Sequence, residues 1–437
     1  MTYSYQSDLY QRLRAELNHI PIIDCHEHLQ RESELPSGEQ VNIGRFFVHY
    51  ANCDLVSAGM PAAEMARVKD STNGLSARER WALLKPWYGK AWNTAYCESL
   101  RIALRDLYGV EDFADDTVER LTDTMRREIK PGFTRRVLDK AGIDYVLTDA
   151  FGPRPIFNPD FDPACFMVDM HDCFTNFPIA QLEADSGLEI KCLDDYLQVI
   201  EFYFARDARY ACAFKVTRAY DRTLCWEDVP RSAVEGTFNR LLAFNDSPDR
   251  QSMQALEDFI LHYLVRQCGE YALRMKFHTG LQEGNGNIIT NSRAALMGNL
   301  LLKYPRTNFD FFHISYPYQE ELTVLAKNFA NVTIDFCWMW IINPAAARRA
   351  LSDMLDTVPA NKIHGFGGDY IFVEGSYGHA EIARREITRV LCEKVEEGRF
   401  TEDYALRVGA MLLRDNAIEN FGLTERRAAF KEWVGSR

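Results

Sequence analysis

Eight short apolar runs, spread along the whole chain, constrain its fold more than any other feature of the sequence. Each run is almost continuously apolar or β-branched, which is the pattern of a parallel strand that helices cover on both faces. The candidate strands are IPIID (20–24), DYVLTD (144–149), CFMVDM (165–170), CAFKV (212–216), RMKFH (274–278), FDFFH (309–313), VTIDF (332–336) and KIHGFG (362–367). A set of eight strands favours a closed barrel over an open sheet.

Helical segments precede these runs from the fourth run onward, for example ALEDFILHYLVRQCGEY before the fifth. Because alternating strands and helices build parallel sheets, the sequence predicts an α/β protein with the (β/α)₈ TIM-barrel fold. A helical stretch from about residue 33 to 142 separates the first two runs and is predicted to be an insertion after strand one. We expect the chain to end in helices and to form a single barrel domain over 1–437.

The composition excludes two kinds of partner. A formal net charge of −13 argues against nucleic-acid binding, because a phosphate backbone attracts clustered lysine and arginine. No apolar run is long enough to span a membrane, and the N-terminal residues are too polar for a secretory signal, so we expect no membrane association and a cytoplasmic location. The eleven cysteines are scattered singly, which fits a reducing compartment.

Two histidines lie where the first predicted strand ends, in PIIDCHEHLQ (21–30). Side chains alternate in direction along a strand, so His26 and His28 point the same way and can hold one metal ion. Imidazole is a common ligand of Zn²⁺. By the same alternation, Glu27 is expected to face away from that ion.

Other predicted strands also end in groups that bind metals. RMKFHTG ends at His278, FDFFHISYP at His313, and HGFGGDYIF brings Asp369 just beyond the eighth strand. The carboxyl ends of barrel strands converge on one mouth, where such enzymes keep their active sites. We therefore predict one Zn²⁺ ion held by His26, His28, His278 and Asp369; Mn²⁺ or a second ion remains open.

Polar and charged residues at the end of the fourth predicted strand and directly after it are further candidates. Lys215, in CAFKVTRAYDR, is either a functional charge or one half of a buried salt bridge. Arg218, Tyr220 and Arg222 follow it and could receive a substrate carboxylate, because guanidinium groups match carboxylates bidentately. The remaining histidines are most simply structural: His19, His49, His171, His262, His364 and His379.

This constellation resembles the amidohydrolase superfamily of metal-dependent enzymes on (β/α)₈ barrels. FKVTRAYDR, MKFHTGLQEGNGN and KIHGFGGDYIFVEGSYGHAEIARR are similar to the branch that includes amidohydrolase domains related to glutamine-synthetase-fused proteins. The same stretches, the insertion after strand one and CWMWIINPAAARRALSDML resemble uronate isomerases. His313 departs from the uronate isomerase pattern, and the phenylalanine-glycine-glycine run before Asp369 replaces the GSD or TDS of many relatives.

The resemblance implies the roles of the strand-end residues. Asp369 would take a proton from a metal-activated water and return it to the leaving group, while His313 would stabilise developing negative charge. By resemblance, Lys215 is the position at which some relatives carry a carboxylated lysine between two metals.

We expect a hydrolase that acts on a small ester, lactone or amide. A uronate (aldose–ketose) isomerase is the alternative, and a metal-dependent decarboxylase is third. A catalytically silent metal-binding protein stays open. The substrate is expected to be a small molecule, with a carboxylate or sugar acid left open, and a homo-oligomer also stays open.

Overall fold

The computed structural model describes residues 7–149, 157–158, 160–244 and 248–436. Its strands are short and lie where the apolar runs predicted them. They are β1 (Ile22–Glu27), β2 (Ile143–Thr148), β3 (Phe166–Val168), β4 (Met170–His171), β5 (Phe214–Val216), β6 (Met275–Phe277), β7 (Phe309–Phe311), β8 (Val332–Asp335) and β9 (Ile363–His364).

All neighbouring strands pair in parallel, in the orders β1-β2-β3 and β4-β5-β6-β7-β8-β9. The third predicted strand is split at Asp169, so that β3 pairs with β2 and β4 pairs with β5. Backbone bonds join the last strand region to the first: Cys25 N–H donates to Phe366 O (3.1 Å) and Asp369 N–H to His26 O (2.9 Å). The strands therefore close into a cylinder, and the predicted (β/α)₈ barrel is confirmed.

Helices surround the barrel and fill the predicted insertion. Their bounds are α1 (Asp8–Asn18), α2 (Ala51–Ser57), α3 (Ala62–Lys69), α4 (Ala77–Ala91), α5 (Ala95–Tyr108), α6 (Val118–Glu128), α7 (Phe133–Ala141), α8 (Ile179–Ser186), α9 (Leu193–Asp207), α10 (Arg231–Phe244), α11 (Arg250–Glu270), α12 (Gly298–Lys303), α13 (Gln319–Asn328), α14 (Met339–Ile342), α15 (Pro344–Thr357), α16 (Val373–Glu396), α17 (Glu402–Ala410), α18 (Asn416–Asn420) and α19 (Leu423–Gly435). Helices α2 to α7 lie between β1 and β2, as the sequence predicts. In the part of the chain that the structure describes, none of these helices has both the length and the apolar character that a membrane crossing needs.

The barrel interior carries charge as well as apolar side chains. Lys276 on β6 is fully buried, pairs with Asp169 (3.0 Å) and donates to the backbone oxygen of Cys25 (2.7 Å). In a second buried pair, His364 on β9 lies 3.0 Å from Asp310 on β7. Buried charges are tolerated only when they are paired in this way. Each pair joins strands that are two apart in the sheet, and together they stabilise the barrel interior below the strand ends.

Candidate metal centre and mouth cavity

The strand ends place the predicted ligands at one mouth of the barrel. His26 is in β1 and His28 follows its last residue, His278 follows β6, and His313 lies two residues after β7. Both His313 (φ 60°) and Asp369 (φ 59°) adopt left-handed backbone conformations, which residues other than glycine rarely adopt. Such strained positions persist when the surrounding structure over-determines them, and they cluster at functional sites.

Three of these side chains form a compact group of ligand atoms. His26 Nε2 and His28 Nε2 are 3.1 Å apart, and Asp369 Oδ1 lies 3.4 and 3.3 Å from them. Ligands of a tetrahedral Zn²⁺ ion, with bonds of about 2.0 Å, are separated by about 3.3 Å from one another. The three atoms therefore have the mutual spacing of one face of a coordination shell.

Backbone carbonyls fix the tautomers of three of the imidazoles. His28 Nδ1 donates to Asp149 O, His278 Nε2 to Leu281 O (2.9 Å), and His313 Nδ1 to Cys337 O (2.9 Å). A carbonyl oxygen only accepts, so the nitrogen that faces it is the donor and carries a proton. The other nitrogen of each ring presents a lone pair to the mouth, which is the arrangement found in metal-ligating histidines.

The close approach of ring nitrogens of His278 and His313 is the strongest argument for a bound cation. His278 Nδ1 lies 3.1 Å from His313 Nε2, which is 3.8 Å from Asp369 Oδ2. Burial lowers the pKa of His278 well below its ordinary value and that of His313 to about 4, so both rings are neutral at physiological pH. Two lone pairs then face each other without a proton between them, and a metal cation fits this donor set.

Lys215 and Asp149 complete the group at the strand ends. Lys215 Nζ donates to His26 Nε2 (3.1 Å) and lies 3.9 Å above the ring of Phe312. Burial lowers the pKa of Lys215, while the nearby carboxylates of Asp369 and Asp149 act in the opposite direction. One carboxylate oxygen of Asp149 lies within 4.8 Å of the ligand nitrogens of His26 and His28. These two residues are positioned to contact an ion or its ligands.

Asp369 is held as a carboxylate. Burial alone would raise its pKa, but contacts with His28, His313 and Lys215 lower it well below the ordinary value. Tyr50 donates its hydroxyl hydrogen to the backbone oxygen of Asp369, and His379 Nδ1 donates to that of Gly368 (3.1 Å). The carboxylate is therefore both ionised and rigidly placed.

A buried carboxyl pair clamps the backbone that carries Asp369. Asp24 Oδ1 accepts from Gly368 N–H (3.0 Å), and Glu27 Oε2 accepts from Tyr370 N–H (2.6 Å). The two acids hydrogen-bond each other, and burial raises the pKa of both, that of Asp24 to about 7, so the pair shares a proton. A Cβ at Gly368 would come within 1.9 Å of Glu27 Oε1, so this position requires glycine. The side chain of Glu27 thus faces away from the mouth, but it helps to fix the position of Asp369, which faces the mouth.

This clamp makes a prediction about Glu27. In Glu27→Gln, the amide can donate to Asp24 and accept from Tyr370 N–H, so we expect a small change in stability. In Glu27→Leu, the buried Tyr370 N–H loses its acceptor, which costs about 1–3 kcal/mol in the free energy of unfolding. Urea unfolding of both variants measures the difference. Equal stability of the two variants would contradict the clamp.

A cavity of about 290 Å³ opens above the ligand group. Its lining combines the ligands with polar and aromatic side chains: His28, His49, Tyr50, His171, Lys215, Thr217, Tyr220, Asp221, His278, Glu283 and Asp369. We call it the mouth cavity. Its volume lies at the lower end of small-molecule sites, which fits a small substrate.

The predicted arginines do not reach the mouth cavity. Arg222 is bound by Glu257 (3.0 Å) and Asp258 (2.6 Å), and both acids are buried. Arg218 donates to Asn176 and pairs with Glu257 (3.1 Å). Carboxylates of α11 hold both guanidinium groups in the protein interior, so the structure gives no support to the expectation that they receive a substrate carboxylate. Of the candidates in and after β5, Lys215 and Tyr220 line the cavity.

Two histidines predicted to be structural line the cavity instead. His171 is the last residue of β4, pairs with Asp149 (3.2 Å) and could have been found by the strand-end rule, because it directly follows the third apolar run. His49 belongs to the insertion and stacks on Tyr50 with ring centroids 3.9 Å apart. No local pattern marks His49 and Tyr50, because only tertiary folding brings the insertion over the mouth.

Comparison with families and curated proteins finds little sequence likeness. No protein-family model matches the chain. Protein fluG of Emericella nidulans is 26% identical over 153 residues, which is 35% of this chain. The match spans 18% of the length of fluG, so it concerns a small part of that protein.

Solved structures resemble the chain over almost its whole length. A uronate isomerase from Thermotoga maritima superposes with a TM-score of 0.78 at 13% identity and covers 94% of this chain and 97% of its own. A glucuronate isomerase from Caulobacter crescentus gives 0.76 at 16%, covering 95% and 94%. A candidate metal-dependent hydrolase from Lactobacillus casei gives 0.65 at 15%, covering 95% and 98%. At these identities the likeness shows the fold.

Proposed function

We propose that the protein is a metal-dependent hydrolase that acts on a small ester, lactone or amide. One observation carries this proposal: imidazole lone pairs and the Asp369 carboxylate converge at the barrel mouth with the spacing of metal ligands. The overall likeness to a candidate metal-dependent hydrolase supports it. Zn²⁺ is the metal we propose, because a nitrogen-rich set with one carboxylate suits it.

The ligand group would hold one ion at His26, His28 and Asp369, while His278 and His313 offer nitrogens for that ion or a second one. When bound, a divalent cation polarises a substrate oxygen and makes water a stronger acid. Asp369 supplies the proton transfer: its ionised carboxylate accepts a proton from water at Oδ1 or Oδ2 and returns it to the leaving group.

The tautomer of His313 changes the role that we propose for it, which on the sequence alone was to stabilise developing negative charge. Its proton is on Nδ1 and is donated to Cys337 O, so the nitrogen that faces the mouth has no hydrogen to give to a developing oxyanion. We therefore propose His313 as a ligand or proton acceptor through Nε2. Lys215 is better placed to donate, since its Nζ lies at the floor of the mouth cavity.

The uronate isomerase alternative is supported by the likeness to two isomerase structures. A uronate carries a carboxylate, which guanidinium groups bind best. Arginine is absent from the described lining of the mouth cavity. Among the described lining residues, Lys215 is the side chain whose ammonium group could receive that carboxylate.

The test uses the full chain reconstituted with Zn²⁺ or Mn²⁺. We expect metal-dependent hydrolysis of at least one member of a panel of small lactones, esters and amides, with ¹⁸O from labelled water entering the product acid. Chelation should lower the rate by at least about a hundredfold, and added metal should restore it. Ketose formation from glucuronate or galacturonate without hydrolysis of the panel would contradict the hydrolase and support the isomerase. A loaded protein without turnover of any compound would support the silent metal-binding protein.

A further inference from the structure

Positive and negative charges lie at different depths in the mouth cavity. Lys215 is the one ammonium group among its described lining residues, and its side chain is almost fully buried beside His26 at the floor. Asp221 and Glu283 lie toward solvent, where the side chain of Asp221 is 63% exposed and Glu283 is partly exposed. We call Asp221 and Glu283 the rim acids. A ligand that reaches the floor must therefore extend past negative charge.

Neighbouring groups hold Glu283 over the cavity. Its backbone N–H donates to Tyr220 Oη (3.0 Å), and Cys53 Sγ donates to its carboxylate (3.5 Å). Asn285 then donates to the backbone oxygen of Cys53 (3.2 Å), which joins the loop after β6 to the insertion. The carboxylate of Glu283 thus has a fixed position above the ligand group.

Basic side chains near the rim do not cancel this charge. Arg218 pairs with Asp221 (3.3 Å) but is shared with the buried Glu257, as described above. Lys69 acts on Glu283 at a distance, but it is exposed, and water and salt screen such charges. The rim therefore remains complementary to a cation.

Aromatic faces line the same space. Tyr220 lies beside His278 with ring centroids 4.8 Å apart, and the stacked pair His49 and Tyr50 forms another wall. An ammonium group is attracted to the face of an aromatic ring as well as to a carboxylate. Acids and aromatic rings together make a site for an organic cation.

We propose that the substrate carries a positively charged amino group, which binds at Glu283 while the bond to be cleaved lies at the ligand group on the floor. This inference rests on the proposed hydrolase and names its substrate class: small amino-substituted amides or esters. It differs from the carboxylate or sugar acid that the sequence left open. Glu283 is the specificity-determining residue.

A matched set of substrates tests the charge preference. 4-Aminobutanamide, pentanamide and glutaramate share one amide and chain length but end in an ammonium, a methyl and a carboxylate group, and methyl esters of the same acids extend the set. We expect the metal-loaded enzyme to show a kcat/KM for the ammonium member at least about tenfold above the other two. Glu283→Gln should remove most of this preference, and Glu283→Lys should shift it toward glutaramate. The matched control Glu16→Gln, on the exposed face of α1, should keep it.

Two results would overturn the inference: a wild-type preference for glutaramate, or a preference for ammonium that Glu283→Gln leaves intact. Failure of the hydrolase is a separate outcome, in which no member is hydrolysed. In that case the cation site is tested by binding alone, because NMR titration of the protein with butylammonium and with 1-butanol needs no turnover. Tighter binding of butylammonium that weakens about tenfold in Glu283→Gln supports the cation site, and equal binding of the two compounds contradicts it.

Discussion

The double variant His26→Ala/His28→Ala is expected to lose its tightly bound metal and at least about a hundredfold of its hydrolytic rate. Both imidazoles contribute Nε2 to the ligand group, and these atoms lie 3.1 Å apart on the rigid end of β1. Loss of a group that merely orients a ligand costs 10–100-fold in affinity or activity, so loss of two ligands should cost more. Elemental analysis after gel filtration, together with rates at saturating substrate, measures both effects.

A matched control is His262→Ala. His262 lies in α11, bonds Tyr304 (2.9 Å) and is remote from the mouth cavity lining. It should keep its metal and its rate, although it can lose stability. If the double variant retained the metal content of the unmodified protein, the assignment of these histidines would be wrong.

Asp369→Asn is expected to lower the hydrolytic rate by about 10²–10⁴-fold while the barrel stays folded. Asparagine has nearly the same shape and keeps an oxygen toward the ligand group, but it cannot accept and return a proton. Since contacts with His28, His313 and Lys215 hold the pKa of Asp369 well below its ordinary value, its basic form is already present at neutral pH. Rate and metal content should be measured on the same sample.

The two measurements separate the two roles of Asp369. A metal-loaded Asp369→Asn protein with a reduced rate supports proton transfer by the carboxylate. A loaded variant with an unchanged rate would contradict that role. If the metal is lost, the residue is needed as a ligand, and the rate at saturating metal decides about proton transfer.

The sequence predicted the barrel well because its strands are buried on both faces. Continuous apolar runs located β1 to β9, and alternation with helices gave the parallel closed sheet. The split of the third run at Asp169 was not predictable, because it depends on how this carboxylate pairs with Lys276 across the interior. Local periodicity carries no information about such long-range pairs.

Long-range contacts also limited how much of the site could be predicted from the sequence. Residues at strand ends, such as His278 and His313, could be placed because the barrel brings all strand ends to one mouth. The direction of Arg218 and Arg222 could not, since it is set by acids of α11 far along the chain. Glu283 lies in a loop whose course depends on contacts with the insertion. The residues that we propose for the chemistry were therefore easier to predict than Glu283, which we propose for substrate choice.

Anomalous X-ray scattering from crystals of the zinc-loaded protein tests the central claim most directly. We predict a peak at the zinc edge about 2.0–2.1 Å from Nε2 of both His26 and His28, in contact with Asp369. A peak elsewhere, or none in a protein that elemental analysis shows to be loaded, would contradict the claim that these strand ends hold the metal.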